Sequence, residues 1–236
     1  MKKIFTLFVL ITSCYLYSQK IEFITKNDTL EKPEYQQFIY LCEATDLTTL
    51  KLVAKVKSTG SLNNIALLFE NLKNETQKLG ANAFRFENFK KIDTENGELV
   101  LSTYFCNDDT FDRNFENIPK NKIYIFGNQN LTEQKIQSYK VNGNKYEITN
   151  GMYKEFQVQI GEEIKINKGG FAGVTLWITG EENNSASFLS FSGIGLDGAL
   201  YNPGSNAVGM NISTGGISKI EPNFGLALLK IFEQQK

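Results

Sequence analysis

Asn64-Ile65-Ala66-Leu67-Leu68-Phe69-Glu70-Asn71-Leu72, running on to Leu79-Gly80-Ala81-Asn82-Ala83, is the stretch on which the reading of the fold turns. Ile65, Leu68, Phe69, Leu72 and Leu79 recur at helical spacing and form one apolar stripe. Asn63 or Asn64 can cap the helix, because an Asn side chain can satisfy an orphan amide of the first turn. Gly80 follows the last periodic residue, where a left-handed C-terminal position needs no Cβ. Working outward, Leu50 to Lys57 alternates as a strand and Thr59-Gly60-Ser61 breaks it. Beyond the helix, Ala83 to Phe89 reads as a strand and Glu95-Asn96-Gly97 as a hairpin turn. Glu98 to Cys106 returns, with Leu99, Leu101 and Phe105 on alternate positions. Tyr35 to Leu41 is a further candidate strand. This order predicts one helix packed on a small sheet.

Leu68-Phe69-Glu70-Asn71-Leu72 and Leu79-Gly80-Ala81-Asn82-Ala83 resemble the helix-to-strand step of a small α/β domain. That domain is shared by the outer-membrane lipoprotein of the Rcs stress pathway and YbjQ-type proteins. In this step Gly80 turns the chain, Ala81 and Ala83 permit close helix–sheet packing, and Asn82 suits a tight corner. The resemblance covers residues 48 to 106 and implies that fold and an envelope setting. The stress sensing and proposed metal binding of the family do not transfer residue by residue. This chain has no histidine, and its cysteines do not cluster. Fold does not settle function.

Asn107 to Lys122 is polar, contains Pro119, and reads as a linker, with a short helix conceivable at Phe111 to Phe115. From Lys122 the pattern is β throughout: Ile123 to Phe126, Ile136 to Val141, Lys145 to Ile148, Tyr153 to Ile160, Glu163 to Ile166 and Ala172 to Thr179. Ser187 to Ile194, Asn206 to Ile212 and Leu226 to Phe232 complete the expected strands. Short strands punctuated by Asn142-Gly143, Asn150-Gly151, Gly161 and Gly169-Gly170 indicate a sandwich or barrel. Gly151-Met152-Tyr153, Val158, Gly161 and Ile164 are similar to a pattern in PEGA-type envelope β-sandwich modules. The likeness, over residues 134 to 168, implies a passive binding or spacing unit. The expected class is therefore α+β. A signal segment (residues 1–18) precedes a small α/β domain (19–106), a linker (107–121) and an all-β, sandwich-like domain (122–236).

Met1-Lys2-Lys3 followed by the apolar run Ile4 to Tyr17 fits the charged and apolar regions of a secretory signal peptide, with cleavage near Ser18-Gln19. The run is shorter than the roughly 20 residues a membrane-spanning helix needs. Ile11-Thr12-Ser13-Cys14 offers a rival reading as a relaxed lipobox, with Cys14 lipidated. Tyr15-Leu16-Tyr17 continue the apolar run instead of opening a polar tether, which favours simple secretion. The expected location is the periplasm, the outer-membrane surface or the extracellular space, with membrane attachment only through Cys14.

Loss of Lys2 and Lys3 moves the formal net charge from −1 to −3. No basic field remains to collect a phosphate backbone, so nucleic acid is not an expected partner. Without histidine, Ser-His-Asp and Cys-His nucleophile systems and imidazole zinc sites are closed to this chain. Acid–base chemistry would rest on carboxylates, tyrosine or lysine. Cys42 and Cys106 are candidates for a disulfide in an oxidising compartment, if their Cα atoms come within roughly 7 Å. Asp108, Asp109 and Asp112 gather acidic oxygens as a candidate calcium loop, without EF-hand spacing. Gly193-Ile194-Gly195-Leu196-Asp197-Gly198 matches GxGxxG, but Asn202-Pro203-Gly204 arrives too soon for the helix a dinucleotide site needs. Trp177, Phe171, Tyr201 and Phe188 form either core or an aromatic platform, and Asp197 with Glu181 and Glu182 are candidate paired acids. The leading expectation is a non-catalytic binding or structural envelope module without cofactor, for a protein or cell-wall partner. A carboxylate-dependent glycan hydrolase and a calcium-stabilised adhesion-type module are the alternatives.

Overall fold

The computed structural model describes residues 19–27, 37–169, 173–191, 213–214 and 216–236. The chain is a strand-rich mixed α/β structure with several sheets. In the first sheet, β1 (Lys20–Lys26), β3 (Lys51–Ser61), β5 (Asn96–Phe105), β4 (Ala83–Lys91) and β2 (Ile39–Tyr40) lie side by side in that order. β2 runs parallel to β4, and the other pairs are antiparallel. Helix α1 (Ile65–Gln77) buries Ile65, Leu68, Phe69 and Leu72 against this sheet, as its stripe dictates. Gly80 then takes φ +92°, a conformation a Cβ would strain.

The hairpin between β4 and β5 departs from expectation. The turn is made by residues 92–95, where the Asp93 carboxylate accepts the amides of Glu95 and Asn96. Asn96 and Gly97 lie within β5, paired with Ser61 and Gly60. A Cβ at Gly97 would meet the Leu62 side chain at 2.5 Å. This glycine marks close packing inside a strand, not a turn.

The second sheet runs β13 (Ser213–Thr214), β14 (Ile217–Lys219), β12 (Ser187–Ser190), β6 (Lys122–Phe126), β9 (Met152–Gln157), β15 (Glu233–Gln234). β6 is parallel to β12, and β15 to β9. The third sheet runs β11 (Val174–Thr179), β10 (Glu163–Lys168), β7 (Ile136–Val141), β8 (Asn144–Thr149). Asn142 and Gly143, with φ +49° and +84°, make the tight β7–β8 hairpin that their sequence announced. Asn150-Gly151 carries the chain from β8 in one sheet to β9 in the other. Ile123, Ile125 and Leu189 of the second sheet join Tyr139, Val141, Ile148, Ile164 and Ile166 of the third in one apolar cluster.

Two segments read as strand or linker are helices. Leu226 to Phe232, expected as a strand, belongs mainly to α3 (Pro222–Ile231), so the second half is not all-β. A continuous apolar run cannot be told from a buried strand by periodicity alone. The deciding signals were Pro222 in the first turn and Glu221, whose carboxylate accepts the amides of Asn223 and Phe224. The segment read as linker contains α2 (Asp108–Glu116), capped by Asn107.

α3 is buried on most of its circumference. Phe224 meets Phe69 with ring centroids 5.0 Å apart, and the same cluster takes in Phe84 on one side and Tyr124, Phe126 and Phe188 on the other. The apolar core is therefore continuous from the first half of the chain into the second. β6 is enclosed on both faces, with Tyr124 and Phe126 toward α3 and Ile123 and Ile125 toward the third sheet. Gly225 lets α3 settle onto Phe188, since a Cβ there would meet the Phe188 ring at 2.4 Å. Residues 1–18 with Cys14, the 193–198 glycine motif, Phe171, Tyr201 and the expected strand at Asn206 to Ile212 lie outside the described residues.

Candidate functional site

α2 forms because Asn107 accepts the Thr110 amide and Asp108 and Asp109 place negative charge at the positive end of the helix. Its Phe111 enters a small apolar cluster with Ile39, Leu41, Ala83, Tyr104 and Cys106 on the face of the first sheet away from α1. The segment 43–51 folds over the same end of that face. Between the two opens a cleft of about 750 Å³, lined among others by Asp46, Leu50, Lys51, Phe105, Asp109 and Arg113. Its size falls in the usual range of small-ligand pockets.

One side chain ties the cleft walls together. Asn114, only 1% exposed, accepts the Cys42 amide and the Thr45 hydroxyl, each at 2.8 Å. Its Nδ2 donates to the Tyr40 carbonyl at 2.8 Å. From the sheet side, the Arg85 guanidinium donates to the Thr45 carbonyl at 3.0 Å. At the floor, Asn82 extends the ladder beyond β5, donating to the Cys106 carbonyl at 2.7 Å and accepting the Cys106 amide at 2.8 Å. The cleft is thus held open by bonds internal to the fold, and its shape exists before any ligand arrives.

Asp46 accepts both the backbone amide and the hydroxyl of Thr48, and these bonds hold its carboxyl below the usual range. It presents a fixed anion at the rim. Burial pushes the Cys106 thiol up to about 12, and burial also raises Cys42 against the opposing pull of Arg85. Neither is a ready nucleophile.

The sequence-read candidates fall differently. Cys42 and Cys106 are free thiols, not a disulfide. They follow β2 and β5, with β4 between. Two strand spacings come to about 9.6 Å, beyond the reach of a bridge. Asp108, Asp109 and Asp112 do not form a cation loop. They stand on α2, and no group of three His, Cys, Asp or Glu that could hold a metal ion is found among the described residues. Trp177 is 53% exposed on β11 while Phe188 is 3% exposed in the core, so these two do not share a platform. Glu181 and Glu182 are exposed in the turn after β11, and Asp197 lies outside the described residues.

Asn114, Arg113 and Asp46 went unnoticed in the sequence. The usable signal was the Asn107–Thr110 capping step with Phe111 and Asn114 three apart on one helical face. What the arrangement offers chemically is a preformed receptor of mixed polarity: an exposed ring edge, a fixed anion and a guanidinium. No protein-family model matches the chain, and no curated protein or solved structure matches it either.

Proposed function

We propose that the chain is an exported envelope protein acting as a non-catalytic binding or structural module for a protein or cell-wall partner. In this reading a small α/β domain carries the cleft and a sandwich-like β-domain supports it. The strand–helix–strand–strand order of β3, α1, β4 and β5 is in keeping with the resemblance to the Rcs-pathway lipoprotein domain. The cluster shared by the second and third sheets supports the sandwich-like part.

The observation that carries the reading is the cleft beside α2. Its inner polar groups, Asn114 and Asn107, are occupied in holding loop and helix in place. Its rim carries Asp46 held as an anion, which suits binding and not proton donation. Capture from the native envelope tests this, using the exported form of the chain as bait beside an Arg113→Glu/Phe105→Asp variant. The expected result is a defined partner enriched by the parent and lost with the variant. Background capture alone, or capture indifferent to the substitutions, refutes the reading. The intact mass of the exported form separates lipidation at Cys14 from cleavage near Ser18.

A further inference from the structure

We infer that the solvent face of the third sheet binds an acidic polysaccharide, with Trp177 stacking on a sugar ring and Lys140, Lys145 and Lys165 pairing with its acidic groups. The inference stands apart from the cleft and does not depend on it.

The register places these residues together. On the outward positions, Trp177 of β11 lies opposite Lys165 of β10, whose ammonium sits 5.8 Å from the indole ring. One row along, Thr175 lies opposite Asn167, Asn167 opposite Lys140 of β7, and Lys140 opposite Lys145 of β8. Adjacent strands are roughly 4.8 Å apart and alternate residues roughly 6.8 Å, so the three lysines and the indole form one patch. Glu147 and Glu163 flank it on the neighbouring rows.

Two features of the patch work against the stability of the sheet. Trp177 leaves 53% of its surface in water while the inward residues of β10 are buried. Lys140 and Lys145 are directly opposed like charges, a pairing that destabilises an antiparallel sheet. Both become favourable when a polyanion with flat apolar ring faces lies across the strands. The surroundings of Trp177 decide between ligand classes. Its outward neighbours are Thr175, Thr179 and Lys165, and Asn167 is bonded to the Thr175 hydroxyl at 2.9 Å. A bilayer surface needs an apolar face to insert, and one indole among hydroxyl, amide and ammonium groups does not make one. An extended peptide would add along the outer edge of β11 or β8, the terminal strands of this sheet, and not across the row of side chains that spans all four strands.

Trp177 is the single tryptophan of the chain, so its fluorescence reports on this patch alone. The exported form of the chain is titrated with polygalacturonate, with neutral dextran, and with vesicles of mixed anionic and zwitterionic lipid. The expected result is a saturable change with polygalacturonate, at least tenfold weaker at 0.5 M salt and at least tenfold weaker in Lys140→Gln/Lys165→Gln, with melting not lowered, since the variant also relieves the Lys140–Lys145 opposition. Dextran and vesicles leave the signal flat. No response to polygalacturonate, an equal response to dextran, a response to vesicles alone, or binding retained by the double variant each overturns the inference. The cleft variant Arg113→Glu/Phe105→Asp is expected to bind polygalacturonate as the parent does, which keeps this result separable from the fate of the proposed function.

Discussion

Replacing Gly225 by alanine sets two effects of opposite sign against each other. In an exposed helix interior the change stabilises by about 1 kcal/mol, because alanine loses less backbone freedom. Here the new Cβ would stand 2.4, 2.5 and 2.9 Å from Cγ, Cδ1 and Cβ of Phe188. Phe188 has little room to retreat. It is 3% exposed, stacked on Tyr124 at 5.3 Å and on Phe126 at 6.4 Å. Forcing a methyl into such a core costs roughly 1–3 kcal/mol, occasionally more. With so little room the cost falls in the upper part of that range, about 2–3 kcal/mol, so net of the propensity gain Gly225→Ala is expected to lose about 1–2 kcal/mol. For a chain of this size that lowers Tm by about 2–8 °C. Urea unfolding followed by far-UV circular dichroism measures it as a lower midpoint at unchanged slope. Repeating the change in a Phe188→Leu background should shrink or reverse the loss, because the ring that the methyl strikes is gone. A Gly225→Ala protein more stable than its parent, or a loss identical in both backgrounds, refutes the packing of α3 described above.

Asn114→Ala leaves the Cys42 amide and the Tyr40 carbonyl without partners in a buried wall, so it is expected to cost about 2–4 kcal/mol and to free residues 43–51 for faster amide hydrogen exchange. An unchanged urea midpoint would contradict the role given to this side chain. Glu221 titrates in the opposite sense to a salt-bridged acid. Burial raises its pKa above 4.5, against the lowering bonds from Phe224 and Asn223. Its favourable contribution is thus full below the unfolded value near 4.5 and is lost as pH rises through the raised folded value. Glu221→Gln removes that dependence, so the stability of the variant relative to the parent should climb between pH 4 and pH 8. A difference flat across that window would show that the carboxyl is not desolvated.

What the sequence disclosed depended on how each element meets water. α1 has one wet and one dry side, and its stripe with Gly80 predicted it directly. The β7–β8 hairpin was equally plain, because Asn142-Gly143 has a backbone geometry few other pairs adopt easily. α3 was misread for the converse reason: enclosed on nearly all sides, it shows no polar face to set its period. Asn96-Gly97 misled because glycine serves close packing as well as turns. The cleft stayed hidden because its key bond joins Cys42 to Asn114, 72 residues apart, through an asparagine that on paper looks like surface. Trp177 was hard to place because an aromatic residue in a strand reads as core by default.

α3 closes the apolar cluster from between two layers, yet it follows both of them in the chain. A polypeptide emerging N-terminus first presents β3, α1 and β4, then β6 and β12, with Phe69, Phe84, Phe126 and Phe188 still lacking their shared filling. Each layer has apolar packing of its own, but the seam between them is not filled until Phe224 and Leu228 arrive. The cluster that joins the two layers is thus completed by the last helix of the chain, so removing α3 should loosen both layers together.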